Sequence, residues 1–332
     1  MLPRIALAAL LFALFLPAVA QEGQHGPPWA NVDIASSHPM HFGQSVLQVD
    51  FAKGSFDLPQ EAILEHIHAA ASAIVAYYGR FPVGRARMLI VPVADRDGVF
   101  NGTTWPNKGG FDGFTRIHIG QHTTAADLAE DWMTTHELVH LAFPCLDDDQ
   151  HWMEEGQATY IEPIARVLTG ELDARSVWHD MVRDMPKGEP QAGDQGLNNT
   201  HTWGRTYWGG ALFCLMADVE IRRATQNRKS LRDALRAIVS QDGTIEYDWH
   251  LPQALAMGDR ATGTNVLTRM YAEWKDKPVP VDLPKLWEEL GIRSTAGGGI
   301  EFVSTAPLAA IREAIAGEPT HAKRAATSGG SD

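Results

Sequence analysis

The spacing of apolar residues predicts an α+β fold, with strands concentrated before residue 122 and helices after it. Apolar and polar residues alternate from Ser45 to Phe51, which is the two-residue period of a half-buried strand. Two more short strands are predicted, at residues 87–93 and 114–119. The glycine-rich stretch between them, residues 97–113, follows neither period and predicts a loop of functional length.

A helical period separates the first two of these strands. Asp57 followed by Gln60 favours a capping box at the start of the helix, and Gly79 favours its end. The side chains of its predicted buried stripe are Ile63, Leu64, Ile67, Ala71, Ile74 and Tyr78. The strands and this helix together predict a small N-terminal α+β lobe with a mixed sheet, residues 21–122.

The pattern after residue 122 is mostly helical and predicts a second lobe, residues 123–317. Thr124 with Asp127 favours a capped start, and Pro144 favours the end of the same helix. Its helical period is carried by Leu128, Trp132, Thr135 and Leu138. Further helices are predicted at about residues 152–170, 173–185, 206–225, 282–291 and 306–316.

Both ends of the chain are predicted to lie outside this fold. Residues 1–20 are typical of a signal peptide, because Arg4 precedes an apolar run and Ala18-Val19-Ala20 is a small-x-small cleavage site. Export to the periplasm or the medium is therefore expected, with an uncleaved N-terminal anchor as the alternative. The tail, residues 318–332, is polar, rich in small residues and predicted to be disordered.

Composition narrows the range of partners. The chain of 332 residues has a net charge of −13, which argues against a nucleic-acid partner because phosphate binding needs a basic surface. A hydrophobic fraction of 44% is sufficient for a sizeable core. After the signal peptide, no segment is long and apolar enough to predict a membrane helix.

The strongest chemical signal is the segment His136-Glu137-Leu138-Val139-His140. Histidines four residues apart share one face of a helix, so both imidazoles can reach one metal ion. Glu137 lies where a carboxylate could accept a proton from water on that ion, as in the HExxH pattern of zinc hydrolases. A random match is expected in roughly 3% of such sequences, and a core helix with two hydrogen-bonded histidines is the alternative.

A catalytic zinc site needs a third protein ligand and an open position for water. Residues 152–160, Trp-Met-Glu-Glu-Gly-Gln-Ala-Thr-Tyr, supply two adjacent carboxylates. With the HExxH segment they resemble the gluzincin peptidases, in which Trp-x-x-Glu-Gly-x-x-x-Tyr follows. The resemblance implies one Zn²⁺ with His136, His140 and Glu155 as ligands, and Glu154 as a neighbour. Only fourteen residues separate His140 from Glu155, fewer than is usual in that group, so a tight connecting loop is expected.

Residues 207–211, Tyr-Trp-Gly-Gly-Ala, extend this resemblance. They are similar to the Tyr-x-Lys-Gly-Ala segment of the gluzincins, with Gly209 in place of the lysine. Residues 212–222 and 230–235 resemble the glycyl aminopeptidase family in particular. The resemblance implies that the Tyr207 hydroxyl donates a hydrogen bond to the oxyanion, which suits a phenol that is neutral at pH 7. A core tyrosine at a helix start is the alternative.

The segment Gly109-Gly110-Phe111-Asp112 resembles the Gly-Gly-x-Glu of clan aminopeptidases. The resemblance implies that Gly110 and Asp112 bind substrate, with the carboxylate holding its free amino group. Asp112 is one methylene shorter than glutamate, and a glycine-rich turn capped by Asp112 is an equal interpretation. The family also implies that the strand before the zinc helix, here residues 114–119, is an edge strand that pairs with extended substrate.

These features imply a thermolysin-like gluzincin domain with a zinc cleft between the two lobes. It would hydrolyse peptide bonds of a peptide or protein substrate, with Glu137 as general base, as an aminopeptidase or an endopeptidase. A catalytically impaired zinc-containing binding protein and a zinc hydrolase of a non-peptide amide stay open. In an exported chain, Cys145 and Cys214 predict a disulfide, with two free buried thiols as the alternative.

Overall fold

The computed structural model describes residues 32–317. The predicted signal peptide and the predicted disordered tail therefore lie outside the described residues. Over those residues the chain is α+β, with its large sheet complete by Gly120 and a mostly helical part that starts at Ala125. This confirms the predicted fold class.

Five strands form a mixed sheet in the order β1-β2-β3-β5-β4, and two short strands pair near the C-terminal end. In the large sheet, β2 and β5 pair with β3 in parallel, whereas β1 and β4 are antiparallel to their neighbours. The strands are β1 (Ile34–Phe42), β2 (Ser45–Ala52), β3 (Arg85–Val93), β4 (Val99–Lys108), β5 (Phe111–Gly120), β6 (Ile292–Ser294) and β7 (Ile300–Phe302).

Strand β4 replaces most of the predicted loop at residues 97–113, and that prediction was wrong. Its side chains are almost all partly buried, so the strand lacks the apolar–polar alternation that reveals a strand in a sequence. A tight turn at Gly109 and Gly110, both with positive φ, reverses the chain into β5. The predicted edge strand was also wrong, because β5 lies between β3 and β4 and the edge position belongs to β4.

Eleven α-helices are present in residues 32–317. They are α1 (Gln60–Tyr78), α2 (Ala125–Glu130), α3 (Met133–Val139), α4 (His151–Thr169), α5 (Ala174–Asp184), α6 (Gly210–Ala224), α7 (Leu231–Ser240), α8 (Leu251–Thr262), α9 (Val266–Trp274), α10 (Leu283–Leu290) and α11 (Ala309–Ala316). None has the length and apolar character needed to cross a bilayer.

Helix α1 has the predicted end and, except for the half-buried Leu64, the predicted buried stripe, but it lacks the predicted cap. It begins after Pro59 with no side-chain cap, and it ends at Gly79 in the left-handed conformation. Asp57 instead contacts the ring of His122, with a distance of 2.7 Å between Oδ2 and Nδ1. His122, which follows β5, therefore contacts the carboxylate that the local pattern assigned to the start of the helix.

The single helix predicted from Thr124 to Pro144 is divided in two. Thr124 and Asp127 form the expected capping box, but α2 ends at Glu130 and Asp131 takes an extended conformation. The Asp131 carboxylate then accepts hydrogen bonds from the backbone N–H groups of Met133 and Thr134, at 2.8 and 3.2 Å. An aspartate that caps a new first turn is a local alternative to continuing the old helix. The HExxH segment is thereby carried by the separate short helix α3.

One hydrophobic core joins the sheet to the helices, and α4 is central to it. Helix α4 packs against α1, α3 and α6. Tyr160 and Ile161 of α4 and Phe213 of α6 are fully buried in this core. The two helices that carry the candidate site, α3 and α4, are thus held against each other and against the sheet.

The predicted disulfide between Cys145 and Cys214 is wrong, and both residues are free thiols. The backbone of Cys145 hydrogen-bonds to that of Tyr247 and Trp249, and its thiol donates to the carbonyl of Ile245 at 3.3 Å. These bonds turn Cys145 towards residues 245–249. Cys214 is fully buried in α6.

Two thiols should therefore titrate with Ellman's reagent after denaturation without reductant, while the native protein reacts slowly. Burial, with the charges of Glu154 and Asp248, raises the pKa of the Cys145 thiol to about 11, so little reactive thiolate is present at neutral pH. Denatured protein that shows no free thiol without reductant and two after reduction would contradict the structure.

Candidate metal centre and active site

Three side chains from two helices converge at one point. His136 lies on α3, His140 follows in a 3₁₀ turn, and Glu155 lies on α4. One ligand atom from each lies within 4.8 Å of the other two. Glu155 Oε2 is 3.0 Å from His136 Nε2 and 3.7 Å from His140 Nε2. The structure therefore brings together the three residues that the sequence predicts as metal ligands.

The donor set fits a zinc ion. Imidazole nitrogen and carboxylate oxygen at about 2.0–2.2 Å from one ion leave the donors roughly 3–4 Å apart. Burial alone would raise the pKa of Glu155, but His140, His136 and His151 hold it well below its usual range. A carboxylate that stays ionised between two imidazoles offers the charge and lone pairs that a divalent cation needs.

A close approach of two helices sets the position of Glu155 relative to Tyr207. The chain passes from a π-helical segment, Gly204–Gly209, into α6, and Gly210 meets Gly156 of α4 at this point. A Cβ atom on Gly156 would lie 2.2 Å from Gly210 Cα, so only glycine permits this contact. Since Glu155 directly precedes one glycine and Tyr207 closely precedes the other, the two side chains emerge side by side.

Tyr207 faces the metal-ligand cluster. Its ring stacks against His136, with centroids 6.2 Å apart and an interplanar angle of 19°. Burial and the nearby carboxylates of Glu155 and Glu137 raise the pKa of the Tyr207 hydroxyl above its ordinary value. The hydroxyl therefore stays protonated and can donate a hydrogen bond.

Glu137 is held by strand β4. Thr104 Oγ1 lies 2.8 Å from Glu137 Oε2 and 3.0 Å from its main-chain oxygen, and Thr115 Oγ1 lies 3.0 Å from Thr104 Oγ1. Gly102 packs directly on the Glu137 side chain. A Cβ atom on residue 102 would lie only 2.6 Å from Glu137 Cγ, so glycine permits this contact. Burial raises the pKa of Glu137 despite the nearby His140 and the bond from Thr104.

Thr104 and Gly102 were missed at the sequence level because residues 97–113 were predicted to be a loop. The β-branched pair Thr103-Thr104 between the aromatic residues Phe100 and Trp105 is the signal that could have indicated a strand. His151 was missed as well. Its Nε2 lies 3.3 Å from Glu155 Oε1, and its Nδ1 lies 3.0 Å from Glu154 Oε2.

A cavity of about 430 Å³ opens in front of these groups. Residues 100–104 and Pro106 of β4 form one wall, and residues of α3 and α4 form the other. Glu137, His140, Glu155 and Tyr207 all line it. The cavity can therefore admit a ligand that contacts the candidate base, the candidate metal ligands and the edge strand at once.

The structure does not bring Gly110 or Asp112 to this cavity. Gly110 lies in the turn between β4 and β5, and the Asp112 carboxylate accepts a hydrogen bond from the backbone N–H of Arg85 at 2.7 Å. Neither residue lines the cavity wall. This placement agrees with a glycine-rich turn that is stabilised by Asp112.

The fold is similar to that of a solved aminopeptidase N family protein. An aminopeptidase N family protein from Idiomarina loihiensis matches with a TM-score of 0.57 at 12% identity, over 77% of this chain and 49% of that chain. This chain shares that protein's fold. An M1 zinc metallopeptidase from Deinococcus radiodurans gives a TM-score of 0.47 at 16% identity, over 76% of this chain and 52% of that chain.

At 12% identity the first likeness concerns the fold alone. The chain spans about half the length of each of the two solved proteins. No family model and no curated protein matches its sequence. The function must therefore be argued from the residues at the site.

Proposed function

We propose that the protein is a zinc-dependent peptidase of the gluzincin type, with one Zn²⁺, that hydrolyses peptide bonds. The observation that carries the proposal is the convergence of His136, His140 and Glu155 beside a buried glutamate at the wall of an open cavity. A purely structural metal site does not need an adjacent base such as Glu137. The signal-like residues 1–20 support export of the enzyme to the periplasm or the medium.

The roles of the side chains follow from their positions. A zinc ion bound by the three ligands would lower the pKa of a water molecule to about 7 and polarise the substrate carbonyl. Glu137 accepts the proton of the attacking water and passes it to the leaving amine nitrogen. Tyr207 donates a hydrogen bond to the carbonyl oxygen as negative charge develops there.

Strand β4 has two roles in this proposal. No other strand of residues 32–317 pairs with its outer edge, and residues 100–104 and Pro106 of the strand line the cavity. An extended substrate could therefore add to the sheet at β4. Thr104 on the same strand positions Glu137 through its hydroxyl. The base and the substrate backbone are thus aligned by one element.

The substitution Thr104→Val is expected to lower kcat about tenfold, because it removes a hydrogen bond to a buried carboxylate and keeps the side chain's shape. KM and bound zinc should stay unchanged, since Thr104 is proposed to act through Glu137 alone. Thr104→Ser, which keeps the hydroxyl, should restore most of the rate. A rise in KM with kcat unchanged would instead place Thr104 in substrate binding.

A peptide library with free and blocked amino ends tests the proposed function, with zinc measured in the same protein. Cleavage products identified by mass spectrometry, together with about one zinc per chain, support a peptidase. Cleavage of internal bonds in blocked peptides identifies an endopeptidase, and loss of single N-terminal residues identifies an aminopeptidase. Zinc binding with no cleavage of any peptide would contradict the proposal.

A further inference from the structure

A second cavity, of about 590 Å³, lies beside the His136 and Tyr207 side chains. Its walls come from the α2–α3 junction, α4, α5 and residues 203–208. Trp132, His136 and Tyr207 line both this cavity and the one that holds the metal-ligand cluster. A group bound in the second cavity would therefore be adjacent to the reacting bond.

Two exposed tryptophans border this cavity. Trp132 is 49% exposed and Trp203 is 60% exposed, and they are two of four large apolar side chains that are exposed in residues 32–317. Trp132 meets His136 edge to face, with centroids 5.2 Å apart, and Trp203 stacks on Tyr207 at 5.8 Å. Aromatic surface that is left exposed beside a cavity is typical of a ligand-binding site.

A large part of the cavity lining is apolar. Besides the two exposed tryptophans, its large apolar side chains are Leu172, Val177, Met181, Met185 and Trp208. The two methionines can adapt their shape to ligands of different outline. The cavity therefore suits a bulky hydrocarbon group.

Five of the six Asp, Glu and Arg side chains that line this cavity are paired with one another, and the sixth, Glu130, is exposed. Glu162 pairs with Arg166 at 2.9 Å, and Arg183 pairs with Asp180 and with Asp184, each at 2.6 Å. Paired charges offer little attraction to a further ion, and an anionic guest is disfavoured because four carboxylates and two guanidinium groups line the cavity. The large apolar part of the lining therefore determines which guest fits.

We infer that this second cavity binds the large apolar or aromatic side chain of a substrate residue next to the cleaved bond. The inference rests on the proposed peptidase function and defines its substrate class. A side chain such as phenylalanine or leucine would lie between Trp132 and Trp203, while the peptide backbone stays at the metal-ligand cluster. Substrates with small side chains would leave the cavity unfilled.

Peptides Ala-Ala-Xaa-Ala-Ala, with Xaa as Phe, Leu, Ala or Lys, test the inference. Cleavage beside Xaa should have kcat/KM at least about tenfold higher for Phe and Leu than for Ala, as is usual for an apolar pocket. The Lys peptide should not exceed the Ala peptide. Equal rates for Phe and Ala, or a preference for Lys, would overturn the inference.

Two variants connect the preference to the cavity. Trp203→Ala should reduce the Phe-to-Ala ratio of kcat/KM about tenfold. The variant should keep its fold, because the Trp203 side chain is 60% exposed. Val177→Phe places a larger side chain in the cavity and should lower kcat/KM for the Phe peptide, and with it the Phe-to-Ala ratio. Leu168→Ala, which removes an exposed apolar side chain outside the cavity, is the matched control and should leave the ratio unchanged. An unchanged ratio in Trp203→Ala would contradict the inference.

A binding measurement distinguishes failure of this inference from failure of the proposed function. Isothermal titration calorimetry of the Glu137→Gln protein should detect tighter binding of the Phe peptide than of the Ala peptide. Adding Trp203→Ala should remove the difference. If the binding preference is present but the wild type cleaves no peptide, the peptidase proposal fails and the cavity inference stands. If peptides are cleaved without any preference in binding, the cavity inference fails alone.

Discussion

Replacing Glu137 by glutamine is expected to lower kcat for peptide hydrolysis about a thousandfold, within the range that general acid–base catalysis contributes. The amide keeps the size of the side chain and can still meet the Thr104 hydroxyl, but it cannot accept a proton from water. Zinc content should match that of the wild type, because Glu137 is not among the three converging ligands. Stopped assays with a cleaved library peptide and metal analysis of the same sample provide the measurement.

Glu65→Gln is the matched control for this substitution, because Glu65 is an exposed glutamate of α1 that is far in sequence from the site. Its kcat and zinc content should equal those of the wild type. Full turnover by the Glu137→Gln protein with zinc bound would remove Glu137 from the proposed mechanism. Loss of zinc from this variant would assign the carboxylate to the metal instead of to the base.

Replacing Glu155 by glutamine is expected to weaken zinc binding by more than about a hundredfold, since even residues that only support a ligand change affinity by about 10–100-fold. The Glu155 carboxylate, whose Oε2 lies 3.0 and 3.7 Å from the two imidazole nitrogens, would be replaced by a neutral amide group. Hydrolysis should be lost together with the metal. Zinc affinity can be measured by competition with a chromophoric chelator.

The adjacent Glu154 provides a control that also tests the choice between two neighbouring carboxylates. Its carboxylate has other partners and is not part of the metal-ligand cluster: Oε1 accepts a hydrogen bond from the backbone N–H of Leu146, and Oε2 contacts His151. Glu154→Gln should therefore keep its zinc. A zinc loss in Glu154→Gln with normal zinc in Glu155→Gln would overturn the assigned ligand set.

The sequence predicted the parts of the site that local spacing determines. Residues 136 and 140 must share a helical face once a helix forms, whatever that helix packs against. The capping box at Thr124 and the terminator Gly79 were predicted for the same reason, because their partners lie within a few residues. Motif resemblance then selected Glu155, whose convergence with the histidines depends on the packing of α3 against α4.

Apart from the new helix start at Asp131 and the contacts of His151, which are local, the missed features depend on contacts between residues far apart in the chain. Thr104 reaches Glu137 across 33 positions, and β4 was recognisable as an edge strand only from its pairing with β5. Asp57 was assigned to the wrong partner because His122, 65 positions away, holds it. No local pattern in the sequence could identify these partners.

By itself, therefore, the sequence determined the class of the fold, the helices with regular apolar stripes and the chemical identity of the candidate metal ligands. The tertiary structure alone decided which strand borders the cavity, which side chain supports Glu137 and where Cys145 points. The physical reason is that helical periodicity and caps depend on neighbours within one or two turns. Strand order, by contrast, and the approach of Gly156 to Gly210 depend on how whole elements pack.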